Sequence, residues 1–288
     1  MEAYAYGGRE FPSLPVTDIP PLPEAALYAL SVARRPGVSA GEVARALGSD
    51  EGIALRLLAI ANSAYFATTQ RITTLPHCVA WLGLDFVSSA LVALGLDRLA
   101  TDTASLDRRA FWQHNMAVAT CCELLARRVS DLAPGEAYLV GLCHDLGKLV
   151  LAVTDGEAYG RCVDRAARTG ASLFDVETET LGLDHALVGA SAMREWNQSP
   201  ELVFVVLNHH EEDIMRPDNK LLDVLMFAQG VCGTMLEDPG SPAAQLAEAR
   251  RTAAMRHLHL DEESAAQVAR ETEESLEKLQ SAVLCLAG

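Results

Sequence analysis

The chain has 288 residues, of which 50% are hydrophobic, so it can bury a large core and is too apolar to be disordered over most of its length. Its formal net charge is -16 and no basic stripe offsets it locally, which argues against direct nucleic-acid binding. Aromatic residues make up only 6%, and alanine and leucine dominate, so the composition predicts an all-α fold.

The cysteine pattern and the N-terminal sequence indicate the cellular compartment in which the protein is expected. Seven cysteines occur, an odd number, and no two have Cys-x-x-Cys spacing, so we expect reduced, buried thiols. The first residues have neither a basic region nor an apolar segment, and no run of 18 apolar residues occurs anywhere in the chain. We therefore expect a cytoplasmic protein that does not insert into a membrane.

The first third of the chain divides into an arm and a helical subdomain. Residues 1–23 contain five prolines, which predicts an extended arm on the surface. Residues 24–105 are expected to form an N-terminal helical subdomain. Apolar periodicity and capping signals predict helices at 23–33, 39–47, 50–62, 73–82 and 85–94. Either Ser49 or Asp50 can cap the third helix, and Asn62 ends it.

Residues 106–288 are expected to form a second helical subdomain. Helices are predicted at 107–129, 137–153 and 159–169, from 184 and from 200 onward, at 220–235, and at 242–257 and 261–286 for two charged outer helices. The helix at 137–153 is unusual because one face is apolar while the other combines small residues with His144, Asp145 and Lys148. The His-Asp pair is either a buried histidine satisfied by its neighbour or part of a metal site.

The other histidines of the chain help to decide between a buried core histidine and a metal site. A single histidine on an apolar face is most often an ordinary core residue. Here five lie at or beside apolar faces of four helices: His114, His144, His185, His209 and His210. Helix bundles build metal sites from side chains that face inward in this way. The pattern as a whole favours a common site over five unrelated core positions.

The order of these residues resembles the HD superfamily of metal-dependent phosphohydrolases. The matching positions are His114, His144-Asp145 followed by Gly147-Lys148, His185, and His209-His210-Glu211. The first half of the chain looks like the HDOD domain, the HD-related output domain of bacterial signalling proteins. This second likeness rests on Ile19-Pro-Pro-Leu-Pro23, on the helix that ends Asn62-Ser-Ala-Tyr-Phe66, and on Ala80-Trp-Leu-Gly83. The two likenesses together cover residues 15–285.

The resemblance implies an N-terminal helical bundle packed on an HD-phosphohydrolase-like helical domain. It also implies a site for a divalent metal ion, iron, manganese or magnesium. The implied metal ligands are His114, His144, Asp145, His185, His209 and His210. The implied catalytic residues are Asp145 and Lys148, with Lys148 countering phosphate charge. Asn62, in contrast, is interpreted as a simple helix cap, with Tyr65 and Phe66 packing nearby.

Two departures from the HD pattern shape the functional hypothesis. Gln229 aligns with the aspartate that completes the metal shell, and the Gly-Tyr-Pro signature of cyclic-dinucleotide phosphodiesterases is absent after His210. HDOD members are regarded as having lost hydrolysis. We therefore expect a signalling module that binds a protein partner or a small signalling ligand through a degenerate metal site. The alternative is a metal-dependent phosphohydrolase acting on a nucleotide, a cyclic dinucleotide or another phosphoester.

Overall fold

The computed structural model describes residues 22–33, 35–48, 50–62, 66, 70–99, 105–196, 198–211, 219–236 and 242–287. Over these ranges the protein contains fifteen α-helices and no strand, which confirms the predicted all-α class. The helices of the first part are α1 (Glu24–Ala33), α2 (Ala40–Leu47), α3 (Glu51–Ala61), α4 (Leu75–Leu82) and α5 (Leu84–Leu99). Those of the second part are α6 (Arg108–Ala126), α7 (Pro134–Cys143), α8 (Leu146–Thr154), α9 (Gly156–Thr169), α10 (Leu173–Leu181), α11 (His185–Glu195), α12 (Pro200–Asn208), α13 (Lys220–Leu236), α14 (Pro242–His257) and α15 (Glu262–Ala287).

Helix ends in the first part follow the local sequence closely. Ser39 and Glu42 form a reciprocal capping box at the start of α2. Asp50 caps α3 by accepting a hydrogen bond from the backbone N–H of Ile53, so Asp50 takes the capping role. The Pro-rich arm lies outside the described residues, except for Leu22 and Pro23. The division of the chain at residues 23 and 105 stays a prediction.

Asn62 does more than end α3. Its amide nitrogen donates to the carbonyl oxygens of Leu58 and Ile72, and its side-chain oxygen accepts from the backbone N–H of Ile72. The two bonds with Ile72 tie the end of α3 to the segment before α4. Phe66 packs edge-on against Phe86 with ring centroids 5.0 Å apart, whereas Tyr65 lies outside the described residues. The interpretation of Asn62 as a structural residue is thus supported by its contacts.

A buried aspartate joins helices of the first part to the second part. Asp97 on α5 is fully buried and accepts hydrogen bonds from Arg56 of α3 at 2.7 Å and from Trp112 of α6 at 2.9 Å. Arg108, also on α6, makes two hydrogen bonds to the same carboxylate. A buried carboxylate needs such partners to remain charged. Asp97 is therefore the polar link between α3, α5 and α6.

The second part is built around α6, which packs against α7, α13 and α15. Helix α8 packs against α11, α11 against α12, and α13 against α14. Six of the seven cysteines are buried and free in the structure: Cys78, Cys121, Cys122, Cys143, Cys162 and Cys232. One described helical stretch, Pro134–Thr154, is apolar and long enough to cross a membrane, but 78% of its apolar window is buried inside the protein, as in a core helix. The bent pair Leu75–Leu82 and Phe86–Gly95 would be a second stretch only if it counted as one broken span.

Two features of the second part were not predicted from the sequence. The single helix expected over 137–153 is interrupted, because α7 ends at Cys143, α8 begins at Leu146, and Asp145 has φ -99° and ψ 7°. Adjacent side chains diverge by about 100° in a regular helix. The turn lets the neighbouring His144 and Asp145 side chains approach each other instead. Helix α10 was not predicted at all, although Ser172 before it and the left-handed Gly182 after it are boundary signals.

Candidate metal centre

Five histidines and one aspartate come together in the second part of the chain. We call them the histidine cluster: His114, His144, Asp145, His185, His209 and His210. They come from the middle of α6, the turn between α7 and α8, the first residue of α11, and the two residues after α12. The structure thus brings all six predicted ligand residues to one place. Their role as metal ligands stays a prediction.

The carboxylate of Asp145 lies at the centre of the cluster. Its Oδ2 atom is 3.4 Å from His144 Nε2 and 3.7 Å from His114 Nε2. Its Oδ1 atom is 3.4 Å from His185 Nε2 and 3.6 Å from His209 Nε2. The two oxygens therefore face two different groups of rings. One group with Asp145 is His114 and His144, and the other is His185, His209 and His210.

Close backbone contacts hold these helices in position. A Cβ atom added to Gly141 would lie 2.5 Å from Ala119 Cα, so α7 touches the backbone of α6 there. A Cβ atom added to Gly147 would lie 1.8 Å from the carbonyl oxygen of His185, so α8 touches the start of α11. Any larger side chain at either position would push the helices apart. The small residues noted in the sequence therefore allow the histidine-bearing helices to converge.

Backbone hydrogen bonds orient two of the rings. His144 Nδ1 lies 2.8 Å from the carbonyl oxygen of Gly141, and His209 Nδ1 lies 2.6 Å from that of Val206. A carbonyl only accepts, so each Nδ1 carries the ring proton and each Nε2 turns a lone pair toward the cluster. Both Nε2 atoms, and Asp145 Oδ1, are buried and have no hydrogen-bond partner among the described residues. A histidine satisfied by its neighbour does not leave these atoms unpaired, so the geometry favours a metal site.

The electrostatics keep most of the rings neutral. Burial lowers the pKa of His114 to about 4, against the opposing charge of Asp145, even though 30% of its side chain is exposed. Burial likewise lowers the pKa of His144, His209 and His210. Neutral imidazole is the form that binds a metal ion. The site is therefore prepared for a cation without first having to lose protons from these rings.

Asp145 is held in its charged form. Burial alone would raise the pKa of Asp145, but the charges of His144 and Lys148, together with the nearby rings of His185 and His209, bring it well below the usual range. Lys148 Nζ donates to Asp145 Oδ2 at 2.6 Å. The predicted catalytic pair, Lys148 and Asp145, is thus in direct contact. Lys148 occupies the place from which it could also meet a ligand's negative charge.

The sequence missed a second carboxylate at the site. Glu177, on the unpredicted α10, is fully buried, and its Oε2 atom lies 2.6 Å from His185 Nδ1 and 2.8 Å from the backbone nitrogen of His185. Burial would lower the pKa of His185, but the neighbouring carboxylates of Asp145 and Glu177 raise it. A carboxylate behind a ligating histidine fixes the orientation of the ring and increases its basicity. Glu177 has the position of such a supporting residue.

Arg250, also missed from the sequence, reaches the cluster from α14. Its Nη2 atom lies 3.1 Å from His210 Nδ1, while His210 Nε2 lies 2.8 Å from His185 Nε2. The ring of Phe174, on α10, covers His210 with centroids 4.7 Å apart. The only signal in the sequence was an arginine on an amphipathic outer helix. That signal does not distinguish a site residue from a solvated one.

A cleft of about 320 Å³ opens beside the cluster. The residues that line the cleft include His114, Asp145, Lys148, Gln229 and Arg250. The side-chain oxygen of Gln229 is buried and has no hydrogen-bond partner among the described residues. The departure that the sequence located at position 229 therefore lies at the edge of the site. Whether Gln229 contributes to a metal shell stays a prediction.

The donor set fits a divalent metal ion. Imidazole nitrogens with carboxylate oxygen suit iron, manganese or zinc, and three buried donor atoms without partners among the described residues belong to the two ligand groups. His144, His209 and Asp145 supply those atoms. His114, His185 and His210 complete the two groups that share Asp145.

Comparison with known proteins is consistent with this geometry. The family model described as the HDOD domain matches residues 19–212. Ribonuclease Y of Geobacter metallireducens is 27% identical over 122 residues, which are 42% of this chain and 18% of the ribonuclease. Ribonuclease Y of Geobacter sulfurreducens matches with the same figures. The chain thus spans less than a fifth of the length of these curated relatives.

Solved structures with the same fold cover nearly the whole chain. A Shewanella amazonensis SB2B protein, provisionally named a phosphohydrolase, has TM-score 0.76 and 24% identity over 94% of this chain and 96% of its own. An HDOD domain protein of unknown function from Geobacter sulfurreducens has TM-score 0.75 and 23% identity over 92% of both chains. A Marinobacter aquaeolei VT8 protein, provisionally named for signal transduction, has TM-score 0.65 and 21% identity over 94% of this chain and 59% of its own. At these identities the likeness shows the fold.

Proposed function

Because this chain belongs to the HDOD domain family, we propose that it is a signal-transduction module that acts by binding rather than by rapid turnover. In this proposal a divalent metal ion occupies the histidine cluster and a small anionic signalling ligand occupies the adjoining cleft. The loaded module then engages a signalling partner. The fold likeness to a protein named for signal transduction is consistent with this role.

The proposal rests on the small number of carboxylates at the site. Asp145 is the one carboxylate in either candidate ligand group among the described residues, and Glu177 is engaged with His185 instead. Hydrolysis by two metal ions depends on negative ligands that bridge and neutralise them. With a neutral amide at Gln229, the site holds less negative charge than the HD pattern implies. Binding is therefore favoured over catalysis.

The chain's own residues define what the site can do. A bound divalent ion would supply Lewis acidity toward a phosphoryl oxygen. Asp145 and the Nε2 atoms of the rings would hold the ion, with His144 and His209 fixed by their backbone carbonyl partners. Lys148 lies beside Asp145 in the wall of the cleft and offsets negative charge there. These residues together can bind and orient an anionic group.

The first test changes the charge at position 229. Gln229→Asp adds a carboxylate at the edge of the site, so manganese should bind roughly tenfold more tightly than to the wild type. Isothermal titration calorimetry of the metal-free proteins measures this, and Asp145→Ala, which removes the carboxylate shared by both ligand groups, should remove binding. Equal affinities of the wild type and Gln229→Asp would show that residue 229 is outside the metal shell. No binding by any form would overturn the metal part of the proposal.

The second candidate function is a metal-dependent phosphohydrolase. It is favoured by the two oxygens of Asp145, which face separate groups of rings as a carboxylate shared by two metal ions would. The ribonuclease name of the curated relatives and the phosphohydrolase name of one structural relative point in the same direction. Hydrolysis of cyclic dinucleotides, nucleotides, a short RNA and an aryl phosphodiester, with manganese or iron, distinguishes the two. Turnover that disappears in both His144→Ala and Asp145→Ala would establish the phosphohydrolase.

A further inference from the structure

Helix α14 lies beyond the segment that the family model matches, yet it contributes Arg250 to the site. The helix is held tightly against α13. A Cβ atom added to Gly230 would lie 2.6 Å from the carbonyl oxygen of Ala247, and one added to Gly233 would lie 2.8 Å from Ala247 Cβ. Such close contact fixes the helix axis. The packing of α14 on α13 therefore fixes the position of Arg250 at the cleft.

The hydrogen bond between Arg250 and His210 defines where the ring proton lies. A guanidinium group has only N–H donors, so His210 Nδ1 must accept from Arg250 Nη2. The proton of the neutral ring is then on Nε2, which can donate to His185 Nε2 at 2.8 Å. His185 Nδ1 in turn donates to Glu177 at 2.6 Å. All three contacts are satisfied by this one arrangement.

That arrangement is incompatible with a metal ion on His210 Nε2. A nitrogen that carries a proton has no lone pair for a metal. If Nε2 binds the ion, the proton must be on Nδ1, and Nδ1–H would then face the N–H of Arg250. Two donors cannot hydrogen-bond each other, so the guanidinium group has to leave His210. Metal binding at this ring and the Arg250 contact exclude each other.

The released guanidinium group has a site to enter. Arg250 and Lys148 both line the cleft of about 320 Å³, together with His114 and Gln229. No carboxylate of the described residues forms a salt bridge with Arg250, in a chain of net charge -16. Burial lowers the pKa of Arg250 and so disfavours its charge; Asp145 offsets part of this effect, and an anion in the cleft would offset more of it. A phosphate group fits because arginine can bind its oxygens in a bidentate manner.

We propose that Arg250 couples metal binding to anion binding: metal at His210 releases the guanidinium group, which then binds a phosphate group together with Lys148. This inference rests on the proposed metal and ligand site and adds the residue that links them. Its consequence is positive cooperativity between the two ligands. Each should bind more tightly when the other is present.

The first part of the experiment titrates manganese into the metal-free protein without phosphate. Arg250→Gln and Arg250→Met both remove the charge, but only glutamine can accept a hydrogen bond from His210 Nδ1–H. We expect both variants to bind manganese more tightly than the wild type, and Arg250→Gln several-fold more tightly than Arg250→Met. The control is Arg251→Gln, since Arg251 pairs with Glu248, and it should match the wild type. Equal affinities of the Gln and Met variants would mean that Arg250 weakens manganese binding only through its positive charge. That result would overturn the proposed coupling.

The second part titrates inorganic phosphate with and without manganese, at constant ionic strength. Wild type and Arg251→Gln should gain roughly tenfold or more in phosphate affinity from manganese, and Arg250→Gln should lose most of that gain. If manganese binds but phosphate affinity is the same in wild type and Arg250→Gln, the coupling is wrong while the metal site stands. If manganese does not bind to the wild type, the proposed metal site fails and the coupling fails with it.

Discussion

At the level of single residues, Glu177 determines how His185 meets the rest of the cluster. Its carboxylate holds both the ring and the backbone nitrogen of His185. Glu177→Gln keeps the size of the side chain but removes its charge. We expect manganese to bind roughly 10- to 100-fold more weakly, because the ring loses basicity and a fixed orientation. Calorimetric titration measures the change.

The matched control is Glu179→Gln on the same helix. Glu179 is exposed and pairs with Arg165 at the surface, so its loss should leave manganese affinity unchanged. Circular dichroism and thermal unfolding of both variants check that the protein as a whole remains folded. An unchanged affinity in Glu177→Gln would mean that His185 does not depend on this carboxylate.

The buried histidines also predict how stability depends on pH. The pKa of His114 in the folded protein is about 4, and those of His144, His209 and His210 are lowered too, whereas an unfolded histidine titrates near 6.5. Below pH 6.5 the unfolded chain therefore binds more protons. The free energy of unfolding of the metal-free protein should fall from about pH 6.5 to about pH 4. His185, whose pKa is raised, offsets part of this loss.

Urea unfolding curves between about pH 7.5 and about pH 5 measure this dependence. His114→Gln removes one of the titrating groups, so it should flatten the curve of stability against pH in that range. Stability that stays constant over the range in the metal-free wild type would contradict the burial of these rings. With manganese present, the loss of stability should occur at lower pH, because the metal competes with protons for the histidines.

At the level of elements, the contact of α3 and α5 with α6 depends on Asp97. Asp97→Asn removes the charge that faces Arg56 and Arg108, and we expect the free energy of unfolding to fall by about 3 kcal/mol. The control is Glu157→Gln, which breaks an exposed pair with Arg161 and should cost less than about 0.5 kcal/mol. Urea unfolding measures both. A loss in Asp97→Asn no larger than that of the control would show that the three helices pack without this link.

The elements also show what could be predicted from the sequence. Helices with side-chain caps and apolar periodicity, such as α2 and α3, lie close to the predicted bounds. Helix α10 was missed because its sequence, LFDVETETL, alternates threonines with acidic residues in its second half, and threonine is a poor helix former. The turn at Asp145 was missed because the apolar pattern continues through it. Periodicity detects the average direction of a helix, not a local break.

The residues of the site also differ in whether they could be identified from the sequence. His144, Asp145, His185, His209 and His210 could be placed because the family motif carries their order along the chain. Glu177 and Arg250 could not, because each meets its partner only through packing of α10 and α14. Neither has a spacing to its histidine that a local pattern would reveal. Supporting residues of this kind need the three-dimensional contacts.

At the level of the whole molecule, the cleft contrasts with the surface around it. A chain of net charge -16 places Lys148 and Arg250 in one cleft next to a cluster of neutral rings. The general surface repels anions, so the cleft is where a small anionic ligand meets favourable charge. This contrast supports a small ligand over a long polyanion. It is consistent with the expected absence of direct nucleic-acid binding, which stays a prediction.

The distribution of the cluster along the chain also has a consequence for biosynthesis. His114, on α6, and Arg250, on α14, lie far apart in the sequence, and the wall of the cleft needs residues from both. Contacts between such distant residues close long loops and tend to form late in folding. On the ribosome, the rings can gather only after α12 has emerged, and Arg250 joins them later still. A nascent chain therefore passes through an interval in which it has metal ligands but lacks the arginine that restrains them.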